Sequence, residues 1–120
     1  MSAPEVSVLL VSWNTREETR RCLESLRRTA AGLSYEVVAV DNGSRDGSTE
    51  VLAAEDRVQL IRNDHNVGFA AAVNQAYRAA TGELILLLNR YSQPGNALKE
   101  QSGLAQLQSR VGVRRGFEME

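Results

Sequence analysis

The sequence predicts an α/β domain built as a doubly wound, mainly parallel sheet with helices on both faces. Three observations carry that expectation. Apolar runs without polar breaks, such as Leu84-Ile85-Leu86-Leu87-Leu88, read as strands covered on both sides. Segments with apolar residues at helical spacing alternate with those runs, and the connections are long enough to return the chain for parallel pairing. Polar turns such as Asp41-Asn42-Gly43 and Pro94-Gly95 mark the boundaries.

The first strand runs from Val6 to Val11 and ends in polar Ser12, Asn14 and Thr15 around Trp13. Thr19, Cys22, Leu23, Leu26 and Ala30 then recur at helical spacing, with Gly32 as the expected stop. On that helix Glu17 precedes Arg21 and Glu24 precedes Arg28, both in the favourable order, so the Arg20-Arg21 and Arg27-Arg28 pairs read as a solvated, salt-bridged face. Glu36 to Val40 forms the second strand. The turn Asp41 to Thr49 follows, and capping by Asp46 or Ser48 leads into a short helix through Val51, Leu52 and Ala54. Val58 to Ile61 is a third strand. Phe69, Val73, Ala76, Tyr77 and Ala80 line one stripe of the next helix, which Gly82 stops before the fourth strand opens at Leu84. Ala97, Leu98, Leu104 and Leu107 suggest a weaker helix broken at Gly103, and Val111-Gly112-Val113 a last short strand. The whole is Rossmann-like, with right-handed crossovers, in one domain over 1–120 with a core at 5–113 and a frayed tail at 114–120.

Composition narrows the partners. Apolar residues make up 42% and charged residues 24%, the ordinary globular mixture. Fourteen basic residues stand against fifteen acidic ones, a formal net charge of −1, which excludes the basic footprint of a nucleic-acid binder and a polybasic membrane patch. Cys22, the single cysteine, forms no internal disulfide, no charged-then-apolar leader precedes Val6, and no apolar run approaches membrane-spanning length. The expected setting is the cytoplasm, without a membrane span, and the expected partners are small molecules or proteins.

In an open α/β sheet, ligands bind beyond the carboxyl ends of the strands, so Trp13-Asn14, Asp41 to Ser44, Asn63 to Gly68 and Asn89 to Tyr91 should line one crevice. Asp41 is an acceptor-only side chain: it either receives hydrogen bonds from a nucleobase N–H or sugar hydroxyls, or caps its own turn. Asn42, Ser44, Asp46 and Gly47 imitate the start of a calcium loop, but Ala53 stands where the bidentate glutamate belongs. No glycine array matches a dinucleotide fingerprint or a P-loop. His65, the only histidine, has no second ligand at metal spacing, and Ser12, Ser44 and Ser48 have no base and acid arranged for a triad.

Taken together, "VSVLLVSWN", "EVVAVDNGSRDGS", "NDHNVGFAAAVNQA" and "GELILLLN" resemble, in order and spacing, the amino-terminal half of family 2 glycosyltransferases of the GT-A fold. The likeness is nearest to the rhamnosyltransferase-like branch and extends over roughly 6–113. It implies a site for a nucleotide-sugar donor of UDP, GDP or dTDP type. By that resemblance Ser12, Trp13 and Asn14 lie by the nucleoside, Asp41 bonds the base, and Asn42 and Ser44 complete the wall. Asn66, Gly68, Phe69, Asn74 and Asn89 border the donor, with Gly68 permitting close approach of backbone. The family transfers sugar with inversion, and Mg or Mn held by an acid after the fourth strand neutralises the leaving diphosphate. Where the family writes "LNPD", this chain writes "LNRY": Tyr91 replaces the metal acid, and Arg90 is a candidate diphosphate contact. The family's catalytic base belongs to a carboxyl-terminal half, so no catalytic residue is expected within 1–120 and the chain is expected to be inactive alone. The alternative is a non-catalytic module that keeps the fold and associates as a homodimer.

Overall fold

Side chains alternate along the central strands, and both sets are buried. Val8 and Leu10 project to one side with Val37, Ala39 and Leu88, while Leu9 projects to the other with Val38, Val40 and Ile85. This two-sided burial demands helices on both faces. The computed structural model, which describes residues 3–88 and 112–114, provides them.

The elements follow in the order β1 (Val6–Ser12), α1 (Arg16–Thr29), β2 (Tyr35–Asp41), α2 (Ser48–Ala53), β3 (Val58–Arg62), α3 (Phe69–Ala79), β4 (Leu84–Leu88) and β5 (Gly112–Arg114). The strands form one sheet in the order β3-β2-β1-β4-β5. Pairs β1–β2, β1–β4 and β2–β3 are parallel, and β5 runs antiparallel to β4. The chain steps outward from β1 to β3, then returns through α3 to the far side of β1. That reversal places the carboxyl end of β1 at the topological switch point.

Leu23, Leu26 and Ala30 of α1 and Leu52 of α2 close the core on one face of the sheet; Ala72, Val73 and Ala76 of α3 close it on the other. The small residues of α3 let the helix lie close to β1 and β2. Leu52 is fully buried, so truncation to Ala there belongs to the class of core deletions that costs about 2–5 kcal/mol.

At the amino ends of the strands, Glu36 ties three segments together. Its Oε2 accepts from the Ser7 hydroxyl at 2.6 Å, the Thr81 N–H at 2.8 Å and the Thr81 hydroxyl at 3.1 Å. The Gly82 N–H donates to Ser7 Oγ at 2.7 Å.

The structure departs from the sequence-based expectation at three places. Neither Gly32 nor Gly82 adopts the left-handed conformation of a glycine helix stop. Helix α1 ends at Thr29, with the Ala30 N–H on the Leu26 carbonyl, and α3 ends as Ala80 turns extended. The role of Gly82 is instead close packing: a Cβ there would stand 2.7 Å from both Ser7 N and Ser7 Oγ. The β4 run is not covered throughout, since Leu84 at its start is 44% exposed. The expected helix around 97–107 lies outside the described residues.

Candidate functional site

Three loops meet at the carboxyl end of the sheet, and each is held in shape by its own polar side chains. The first turns at Asn14, whose φ of 52° is tolerated by asparagine better than by most residues. The Asn14 N–H donates to Ser44 Oγ at 2.8 Å, and its side-chain oxygen accepts from the Arg45 N–H at 2.9 Å. The loops after β1 and β2 are thereby clasped by a reciprocal pair of bonds. Trp13 stands beside the clasp, 45% exposed.

Beneath the clasp, Ser12 is fully buried. Its hydroxyl lies 3.2 Å from Thr15 Oγ1, which lies 3.2 Å from Thr19 Oγ1, so these three hydroxyls satisfy one another under the start of α1. The Ser12 hydroxyl is thus engaged behind the crevice wall, at the end of β1. Asp46 joins this region to the next loop. Its Oδ2 accepts from the Arg16 N–H at 3.0 Å, while Oδ1 accepts from the Ser48 N–H at 3.0 Å and the Ser48 hydroxyl at 2.6 Å. One carboxylate therefore caps the first turns of both α1 and α2. Desolvation pushes its pKa up; the bonds from the Ser48 hydroxyl and from the Arg16 and Ser48 N–H groups outweigh that and hold it below the usual aspartate value.

Asp41, the last residue of β2, is 2% exposed and divides its two oxygens between different tasks. Oδ2 accepts from the Ser44 N–H at 2.9 Å and from the Thr49 hydroxyl at 3.1 Å. Oδ1 is buried and has no hydrogen-bond partner among the described residues. The turn-capping reading of Asp41 accounts for one oxygen and leaves the other open. A buried acceptor without a donor costs about 1–3 kcal/mol, so it marks a place where a donor belongs.

Asn42 is equally buried but fully engaged. Its N–H donates to the Ser12 carbonyl at 2.8 Å, its side-chain oxygen accepts from Asn63 Nδ2 at 2.8 Å, and its Nδ2 reaches the Gly68 carbonyl at 3.4 Å. Asn63 in turn exchanges two bonds with Gln75 of α3, at 2.9 and 3.0 Å. The network spans the end of β2, the loop after β3 and α3, and it engages Asn42, one of the side chains that imitated a calcium loop. Asn66 accepts from the Gly68 N–H at 2.8 Å. Gly68 holds φ 96° and ψ 161°, and nothing lies within 4 Å of an ideal Cβ, so backbone conformation and not crowding requires glycine there. Phe69 packs against the α3-side core and Asn74 is half-buried within α3. Asn89, Arg90 and Tyr91 lie outside the described residues.

His65 and Asp64 pair at 2.7 Å on the exposed part of their loop, away from other metal-ligating side chains. Among the described residues no group of three or more His, Cys, Asp or Glu side chains is placed to hold a metal ion. The metal position that the resemblance implies, after the fourth strand, lies outside the described residues. Sequence reasoning placed Asn63 at the crevice but missed Thr49 and Gln75 as supports of the site: each acts through a contact across the fold, and neither stands in a recognisable local pattern.

An open, mainly parallel sheet with an acid at the end of β2, clasped loops after β1 and β2, and a glycine-opened helix α3 defines a GT-A glycosyltransferase fold. The chain belongs to glycosyl transferase family 2, whose family model matches residues 7–90. It is similar to glycosyltransferase AglE of Haloferax volcanii, 31% identical over 76% of this chain and 32% of that protein. It is also similar to the putative glycosyltransferase EpsH of Bacillus subtilis, 33% identical over 74% of this chain and 26% of that protein. The chain thus spans about a quarter to a third of the length of these relatives. Among solved structures, the mannosyltransferase PcManGT of Pyrobaculum calidifontis, in complex with GDP-Man and Mn2+, superposes with a TM-score of 0.60 at 25% identity, over 75% of this chain and 28% of that one. TarS of Staphylococcus aureus shares the fold, with a TM-score of 0.62 at 22% identity over 72% of this chain and 27% of that one. These relatives do not single out the rhamnosyltransferase-like branch. No helix among the described residues is long and apolar enough to cross a membrane.

Proposed function

We propose that this chain forms the donor half of an inverting glycosyltransferase and binds a nucleoside diphosphate sugar at the carboxyl end of its sheet. The observation that carries this reading is the buried, partnerless Oδ1 of Asp41 beside its fully bonded Oδ2. An ionised carboxylate only accepts, so the matching ligand atom is a donor, such as the ring N–H of uracil, thymine or guanine. Trp13, half-exposed on the neighbouring strand end, offers an apolar face to the same nucleoside. Asn66, Gly68 and Phe69 at the start of α3 border the donor, with Asn42, Ser44 and Asn74 holding that border in place. Membership of the family and the likeness to a mannosyltransferase solved with GDP-Man support a nucleotide-sugar ligand.

No catalytic base is assigned within the described residues, and the family's sugar transfer requires one. Asn89 and Arg90 follow β4, and Arg90 would pair with the donor's diphosphate in the absence of the acid that Tyr91 replaces. The proposed setting is the cytoplasm. A second reading, a non-catalytic module that self-associates, is favoured by the same substitution of Arg-Tyr for Pro-Asp.

A thermal-shift panel with UDP, GDP, dTDP and their sugars, each with and without Mg2+ or Mn2+, tests the two readings, because a ligand that binds the native state raises Tm. Stabilisation by at least one nucleotide is the expected result. No shift with any of them supports the non-catalytic module.

A further inference from the structure

Beside the proposed donor crevice, on the side of β3 and α2, the described residues frame an open polar cavity of about 490 Å³. The exposed side chains of Arg16, Arg45 and Arg62 line it, together with Ser44, Thr49 and Glu50. These three arginines come from separate parts of the sequence, and no ion pair among the described residues engages any of them. Three other arginines have partners: Arg20 pairs with Glu17, Arg27 with Glu55, and Arg57 lies over the Tyr35 ring.

Each lining arginine is anchored at its backbone. The Arg16 N–H donates to Asp46, the Arg45 N–H donates to Asn14, and Arg62 ends β3 in register with Asp41. Gly47 adds a constraint on the Arg16 side chain. Its φ is +95°, and a Cβ there would meet Arg16 Cδ at 3.2 Å and Nε at 3.3 Å, so the arginine lies flat against the glycine. Three guanidinium groups held around one cavity repel one another unless an anion joins them. Glu50 cancels one of the three positive charges, leaving two, which matches a phosphoryl dianion. The volume leaves room for a group attached to the phosphate.

We propose that this cavity is a second anion site, bordering the nucleotide crevice, that binds a phosphomonoester through Arg16, Arg45 and Arg62. The site does not depend on the nucleobase contact: Asp41 Oδ1 is not among its residues, although Ser44 and Arg45 belong to the clasped loop that the two share. Thr49 connects the two, since it lines the cavity and donates to Asp41 Oδ2.

Titration calorimetry of the full chain with inorganic phosphate and with glucose 1-phosphate, at constant ionic strength, tests the proposal. Saturable one-to-one binding is expected, weakened about tenfold in Arg45→Ala and in Arg62→Ala by loss of a charge-assisted contact, with Arg28→Ala on the outer face of α1 unchanged. Tighter binding of glucose 1-phosphate would identify a phosphorylated organic ligand, and equal binding would identify phosphate itself as the recognised group. No saturable binding of either probe overturns the site, as does an equal loss in Arg28→Ala, which would mean diffuse electrostatics. Displacement of phosphate by UDP also overturns it, because the cavity would then be the donor's own diphosphate pocket. Failure of UDP, GDP and dTDP all to bind while phosphate binds sinks the donor reading and leaves this site standing.

Discussion

A single carboxylate shows how a residue can be structural and available at once. The Oδ2 of Asp41 shapes the β2–α2 turn through Ser44 and Thr49, whereas Oδ1 is buried with no partner among the described residues. Asp41→Asn separates the two functions. The amide oxygen takes over the Oδ2 bonds, and the NH2 group sits at Oδ1, turning an acceptor into a donor. The expected outcome is a protein that folds with little change in Tm but binds nucleotide at least about tenfold more weakly, a loss of ~1–3 kcal/mol, read by calorimetry. Retained affinity would remove Asp41 from the nucleobase contact. The position of this residue was legible in the sequence, because an acid that closes an apolar run faces the crevice of an α/β sheet. The division of its oxygens was not, since Thr49 reaches it from the following helix through tertiary geometry. The partners of Ser12 were not legible either: its strand-end position follows from the sequence, but the hydroxyls of Thr15 and Thr19 reach its side chain only through the turn into α1.

At the scale of elements, Asp46 joins the starts of α1 and α2. Replacement by Ala removes acceptors for two helix N–H groups and is expected to lower stability by about 1 kcal/mol per lost cap, measured by urea unfolding near neutral pH. The pH dependence has a definite sign. The folded-state pKa of Asp46 is depressed, so its contribution is complete above the ordinary aspartate value of about 3.9 and is lost as pH falls through the lower folded value. Wild type and Asp46→Ala should therefore converge in stability on acidification below about pH 4, and a constant difference would assign the effect to something other than the charge. Helix and strand locations followed well from apolar periodicity. The glycine stops did not, because tertiary packing decided them: Gly82 is small to admit Ser7, and α1 ends two residues before the chain reaches Ala31 and Gly32.

For the molecule as a whole, order and winding were legible because two-sided apolar strands alternate with one-sided helices, and only a covered parallel sheet satisfies both. The three arginines of the second cavity were invisible in the sequence, since nothing local relates 16, 45 and 62. The knot of Ser7, Glu36, Thr81 and Gly82 at the amino ends of the strands supplies the last prediction. Gly82→Ala forces a Cβ to within 2.7 Å of Ser7 backbone, and overpacking of this kind typically costs about 1–3 kcal/mol, seen as a lower Tm.

That knot and the clasped loops lie at opposite ends of the same strands, with Val6 beside Tyr35 and Leu84 at one end and Ser12 beside Asp41 at the other. The consequence is a division of labour along the strand axis. Changes at the knot act on stability at a distance from Asp41, whereas changes at the loops reach the candidate crevice and, through Asp46, stability as well. A lineage built on this sheet can exchange its loops for new ligands while retaining an unaltered foundation.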